Sequence, residues 1–138
     1  MDSQLLQTKR KRNINIMDFK SNKPIYLQIV DFCFTQILTK EWKENERIPS
    51  VRELGVQLQV NPNTAMRAFD YMQSEDVIYS KRGMGYYVQL HAAKQIKSIQ
   101  KKDFFEQILP ETFRTMDLLE ISIDEIVEKY NEFKKITI

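Results

Sequence analysis

Along the chain, apolar residues recur with helical spacing in several stretches and with strand character in one. The first helix is expected to open at Pro24, because a proline in the first turn gives up an N–H that would have no intrahelical partner there. Apolar residues then fall at 26, 30, 33 and 37 and again at 27, 34 and 38, a helical repeat with an unusually wide apolar face. A second, short helix is expected over about 50–59, opened by the capping box Ser50-Val51-Arg52-Glu53. After a break at Gln59-Val60, Asn61 is suited to the N-cap and Pro62 to the first turn of a third helix reaching about Gln73. Its spacing turns Ala65, Ala68, Phe69 and Met72 inward and leaves Asn63, Thr64, Met66, Arg67 and Asp70 outward. Val77–Ser80 and Tyr86–Leu90 read as two strands around the turn Lys81-Arg82-Gly83-Met84-Gly85.

Beyond residue 90 the helical repeat resumes. Ala92, Ile96, Ile99, Phe105, Ile108, Leu109, Phe113, Met116 and Leu119 follow at spacings of mostly three and four, with a gap across Lys101-Lys102. Pro110 should kink or restart this run. A second capping box, Ser122-Ile123-Asp124-Glu125, opens a last helix with Ile126, Val127, Tyr130 and Phe133 on its apolar side. The expected fold is mainly α with a small β-hairpin: a winged helix-turn-helix followed by a two-helix C-terminal appendage. Its expected parts are a polar tail (1–20), a DNA-binding domain (21–90) and a helical dimerisation region (91–138).

Composition narrows the class of protein. Hydrophobic residues make up 42% and charged residues 29%, which is the balance of a globular chain. One cysteine, Cys33, excludes an intrachain disulfide, and no apolar run approaches the length of a membrane helix. A cytoplasmic location and no membrane partner are therefore expected. Charge adds little, since residues 1–90 carry 13 Lys/Arg against 10 Asp/Glu and residues 91–138 carry 8 against 9. The run Lys9-Arg10-Lys11-Arg12 is either a solvated tail or an arm that meets DNA phosphates. Met17 offers an internal start. His91 has no cysteine or carboxylate cluster at ligand spacing and no phosphate-binding glycine loop is present, so neither enzyme activity nor a cofactor or metal is expected.

The order of elements directs attention to the third helix, which in a winged helix-turn-helix enters the major groove. Asn63 can donate to and accept from a base edge, Thr64 can bond a phosphate or touch a thymine methyl, and Arg67 can reach a guanine or a phosphate. The glycine turn behind Lys81 and Arg82 suits a wing tip against the DNA backbone or minor groove. A rival reading uses the same fold as a protein-interaction module; outward Asn63, Thr64 and Arg67 argue against it, and Met66 and Tyr71 keep it open.

The segments Pro24-Ile25-Tyr26-Leu27-Gln28-Ile29, Ile48-Pro49-Ser50-Val51-Arg52-Glu53-Leu54, Val60-Asn61-Pro62-Asn63-Thr64, Arg67-Ala68-Phe69 and Gly83-Met84-Gly85-Tyr86-Tyr87-Val88 occur in unbroken order. As a set they resemble the GntR family of bacterial regulators, and the Val-Asn-Pro-Asn-Thr turn and short tail are similar to its YtrA subfamily. The chain departs from the pattern at Pro62 and Met66, where many relatives place arginine. The resemblance implies a phosphate contact from Arg52, base and phosphate contacts from Asn61, Asn63, Thr64 and Arg67, and a wing contact at Gly83. It implies a sequence-specific transcription regulator, acting as a repressor on a palindromic double-stranded operator. A homodimer is expected through Ile96, Ile99, Phe105, Ile108, Leu109, Phe113, Met116 and Leu119, because the tail helices carry more apolar residues than an isolated pair can bury. Only residues 91–138 follow the hairpin, so no large effector domain is expected. A small-molecule effector of unknown identity stays open, with Tyr26, Trp42, Phe105, Phe113 and Tyr130 as candidate lining or, more simply, core.

Overall fold

The computed structural model describes residues 22–137. The basic run at residues 9–12 lies outside them, as does Met17. The chain divides into two compact units, with the division between Lys97 and Ser98.

The first unit opens with α1 (Ile25–Leu38), which follows Pro24, the residue at its N-cap. Its wide apolar face is matched by burial of Ile29, Val30, Cys33, Phe34 and Ile37. Helix α2 (Val51–Leu58) has the expected capping box: the Glu53 N–H donates to Ser50 Oγ at 3.1 Å and the Ser50 N–H donates to Glu53 Oε1 at 3.4 Å. It ends at Gln59, which takes the left-handed conformation. Helix α3 (Pro62–Ser74) follows at once, capped by Asn61, whose Oδ1 accepts from the Asn63 N–H at 2.8 Å. Its buried residues are Ala65, Ala68, Phe69 and Met72.

Helix α3 packs against α1, α2 and the hairpin's first strand. Gly55 lets it approach α2, because a Cβ at that position would lie 3.3 Å from the Val60 carbonyl oxygen. The turn into the hairpin contains no glycine; Asp76 takes the left-handed conformation instead, with φ +58.

Strands β1 (Ile78–Lys81) and β2 (Gly85–Val88) pair antiparallel, with Ile78 opposite Val88, Tyr79 opposite Tyr87, Ser80 opposite Tyr86 and Lys81 opposite Gly85. The connector before α2 lines the other edge of β2. The Ile48 N–H donates to the Tyr86 carbonyl at 3.0 Å, the Val88 N–H to the Glu46 carbonyl at 3.1 Å, and the Asn45 N–H to the Val88 carbonyl at 2.8 Å. Arg47 and Tyr87 form an antiparallel bridge. A strand with only two or three paired residues leaves too little alternation to read in sequence.

Helix α4 (Ala92–Asp103) begins inside the first unit. Ala92 and Ile96 are fully buried there, and the Gln95 side-chain amide donates to the Glu75 carbonyl at 2.9 Å. The first unit thus runs past the boundary at residue 90 expected from the sequence, and Ile96 belongs to its core rather than to a surface open to a partner.

In the second unit a π-helical turn, Phe104–Ile108, follows α4 and leads directly into α5 (Leu109–Leu119). Pro110 sits in the first turn of α5. The run therefore continues through the proline, with the helix restarting just before it. Proline lacks the N–H that an α-helix interior needs, and its ring crowds the carbonyl four residues back; the wider turn relieves both constraints. Helix α6 (Ile123–Thr137) starts from the second capping box, in which the Ser122 N–H donates to Glu125 Oε2 at 2.8 Å and the Glu125 N–H to Ser122 Oγ at 3.2 Å.

Ile96→Ala is expected to destabilise the first unit by about 2–5 kcal/mol, although by sequence it lies in the tail. Urea unfolding followed by the fluorescence of Trp42, the one tryptophan of the chain, reads that unit directly. A loss well below about 1 kcal/mol would place Ile96 outside the core.

Candidate nucleic-acid interface

The residues singled out from the sequence sit on α2, on the exposed side of α3 and on the hairpin. On α3 the exposed residues Asn63, Met66, Arg67 and Asp70 follow the i, i+3, i+4, i+7 spacing of one helical face. Thr64 is half-buried beside them. Arg52 is exposed in the first turn of α2.

Three of these side chains are already engaged within the chain. The Asn61 side-chain oxygen caps α3, so Asn61 shapes the turn and offers chiefly its amide N–H groups to an outside partner. The Arg67 guanidinium lies 4.0 Å from the ring centroid of Tyr26 on α1, a cation–π contact that draws the cation toward α1. The Lys81 ammonium lies 4.4 Å from the Tyr87 ring centroid and 6.0 Å from that of Tyr79.

The hairpin has two faces of different character. Ile78 and Val88 are buried on one, and Tyr86 on the same face meets Phe69 of α3 edge-on at 4.9 Å. On the other face Tyr79 and Tyr87 stack at 5.7 Å, with Lys81 over them. Arg47 joins this second face from the connector: a Cβ at Gly85 would lie 3.1 Å from Arg47 Nε. Gly85, at φ +99, thus leaves room for a guanidinium. Gly83, at φ +75, occupies the third position of the turn closed by the Met84 N–H to the Lys81 carbonyl. A Cβ at Gly83 would meet nothing within 4 Å, so the chain itself does not crowd that position. Arg82 is exposed beside it.

Arg47 is the residue that sequence reasoning missed. A lone arginine in a polar connector carries no signal until the connector pairs with β2. Other chemistry is weakly represented. Burial pushes the Cys33 thiol well above its ordinary range, which makes it a packing residue and not a nucleophile. His91 is exposed at φ +64, and its backbone N–H donates to Glu44 Oε1 at 3.0 Å. Among the described residues no group of His, Cys, Asp or Glu is arranged to hold a metal, and no helix is long and apolar enough to cross a membrane.

A three-helix unit with a short-turn α2–α3 crossing, a polar outward face on α3 and a basic hairpin is a winged helix-turn-helix of the DNA-binding type. The comparisons identify its family. Residues 25–88 match the model of the bacterial regulatory proteins of the gntR family. The chain is 33% identical to the uncharacterised HTH-type transcriptional regulator YhcF of Bacillus subtilis over 83% of its own length and 93% of that protein's. It is 36% identical to the B. subtilis HTH-type transcriptional repressor YtrA over 55% of its own length and 58% of that protein's. Among solved structures, a putative GntR-family regulator from Bacteroides thetaiotaomicron superposes with a TM-score of 0.73 at 43% identity, covering 83% of this chain and all of that one. The chain belongs to the GntR family. It is a DNA-binding transcription regulator and not an enzyme.

Proposed function

We propose that the protein is a homodimeric repressor, acting in the cytoplasm, that binds a palindromic operator through two copies of the winged unit. The observation that carries this reading is the apolar surface of the second unit. Phe105, Ile108, Phe113, Leu119, Val127, Tyr130 and Phe133 are each close to half exposed or more. Of the expected interface residues, Ile99 and Leu109 are half-buried and Met116 is buried. So large an apolar surface on a short helical segment is unfavourable in water and favours burial against a second copy. Two-fold symmetry then presents two α3 helices to half-sites about one helical turn apart.

In this reading Asn63, Thr64 and Arg67 meet base edges and phosphates of the major groove. Arg52 and Asn61 meet the backbone beside them. Arg47, Lys81, Arg82 and Gly83 hold the wing against the duplex. Occupying an operator blocks access of other proteins to the same DNA, which is the simplest route to repression. The similarity to the B. subtilis transcriptional repressor YtrA supports that sign. A small-molecule effector would act by favouring one arrangement of the dimer over another.

Sedimentation at micromolar concentration is expected to give a dimer, and the exposed-site change Phe105→Asp combined with Phe113→Asp is expected to give a monomer with Trp42 fluorescence unchanged. A monomeric wild-type chain overturns the proposal. For DNA, Arg47→Ala and Arg52→Ala should each weaken binding to all sequences alike and lower the salt slope by about one unit. Asn63→Ala should instead cost about 1–3 kcal/mol at the selected site and relax its sequence preference. Equal losses on selected and random duplex for Asn63→Ala would remove it from base reading.

A further inference from the structure

The exposed stripe of α3 holds one apolar side chain. Asn63, Met66, Arg67 and Asp70 share it, and Met66 is 37% exposed. Arg67 does not stand out from the stripe, because its guanidinium is held 4.0 Å from the Tyr26 ring on α1. The cation is thereby kept at the edge of the stripe nearest α1, where a flanking phosphate is the natural partner. One turn beyond, Asp70 repels phosphate and can accept only from an amino group such as cytosine N4, farther from the helix N-terminus. Nearest the N-terminus of α3, the part of such a helix that meets base edges, the side chains of the stripe left to face them are the Asn63 amide and the Met66 thioether.

The two have distinct complements in the major groove. An amide pairs bidentately with adenine, whereas an apolar side chain has one apolar partner there, the C5-methyl of thymine. Methionine suits such a contact, being unbranched and able to adjust over a methyl group without a fixed rotamer. Cytosine offers a proton at that carbon and no methyl, and guanine and adenine offer polar edges that Met66 would desolvate without repayment.

We propose that Met66 is a specificity-determining residue that reads a thymine through its C5-methyl group, and that Tyr26 is a positioning residue that keeps Arg67 out of the way of this contact. The inference rests on the DNA-reading role of α3 given above. Each half-site then contains a thymine whose methyl group contributes to affinity, close to an adenine read by Asn63.

The test uses the full chain and duplexes recovered by it from a randomised pool. Each thymine of the recovered site is replaced in turn by deoxyuridine, which removes the methyl and leaves base pairing intact. One position per half-site is expected to lose about 4-fold in affinity, the worth of one buried methyl group. In Met66→Ala and in Met66→Gln, both at an exposed position, the same replacement should change affinity less than about 2-fold, because the apolar partner is gone. Reselection with Tyr26→Leu should raise guanine at that position as Arg67 is released, and Tyr26→Phe, which keeps the ring face, should leave thymine preferred. The proposal is overturned if every deoxyuridine replacement is neutral, or if the loss is the same in wild type and Met66→Ala. If no sequence is enriched from the pool, the DNA-reading role of α3 fails as well, which separates the two failures.

Discussion

Helix α3 obeys opposite rules on its two sides, and the rest of the first unit depends on this. Its inward residues Ala65, Ala68, Phe69 and Met72 are wholly buried, while Asn63, Met66, Arg67 and Asp70 remain in solvent. The two sets interleave along one stretch of chain, so neither can shift without the other. Small residues at 65 and 68 let neighbouring backbones come close, and Gly55 does the same from α2. Phe69 fills the remaining space against Tyr86 of the hairpin. Packing density on the inside thereby sets where the outward side chains point.

The hairpin applies the same economy to charge. Arg47 and Lys81 are exposed cations, yet neither is unrestrained. Lys81 lies over the Tyr87 ring, and Arg47 lies against the flank of Gly85. These contacts are too weak to hold the fold together, the cation–π contact of Lys81 being worth about 0.5–1 kcal/mol at an exposed site. Their value is in orientation, because a side chain already ordered loses less entropy on meeting a phosphate. Arg67 over Tyr26 follows the same arrangement on α1.

The second unit shows what the first has solved and it has not. Its apolar residues recur at helical spacing as regularly as those of α1, but among the described residues Met116 is the one buried. Helices of this length seldom persist alone in water. The π turn before Pro110 lets the helical run pass a residue that would otherwise break it. A continuous run keeps Phe105, Ile108 and Phe113 within a few turns of one another, as an extended contact surface requires.

Much of this was legible before any coordinates. The capping boxes at Ser50 and Ser122 and the inward set of α3 depend on spacing within a few residues, and spacing is what a sequence displays. The third edge of the hairpin was not legible, because pairing 45–48 with 86–88 depends on segments far apart in the chain. For the same reason Arg47 carried no signal and Arg67 reads as outward from its spacing although Tyr26 lies against it, whereas the Asn61 cap, a contact two residues long, was legible.

The position of Ile96 marks the same divide. By period alone it continues the series through Ile99 and Phe105 and belongs with them; by burial it is part of the first unit's core. The sequence by itself determined which residues form helices, which side of each is apolar and which side chains could meet DNA, because local hydrogen bonding and side-chain period act over a handful of residues. Only the tertiary structure decided which apolar face was already covered and which polar group was already spent, because burial and partnering are set by neighbours that the chain brings together from a distance.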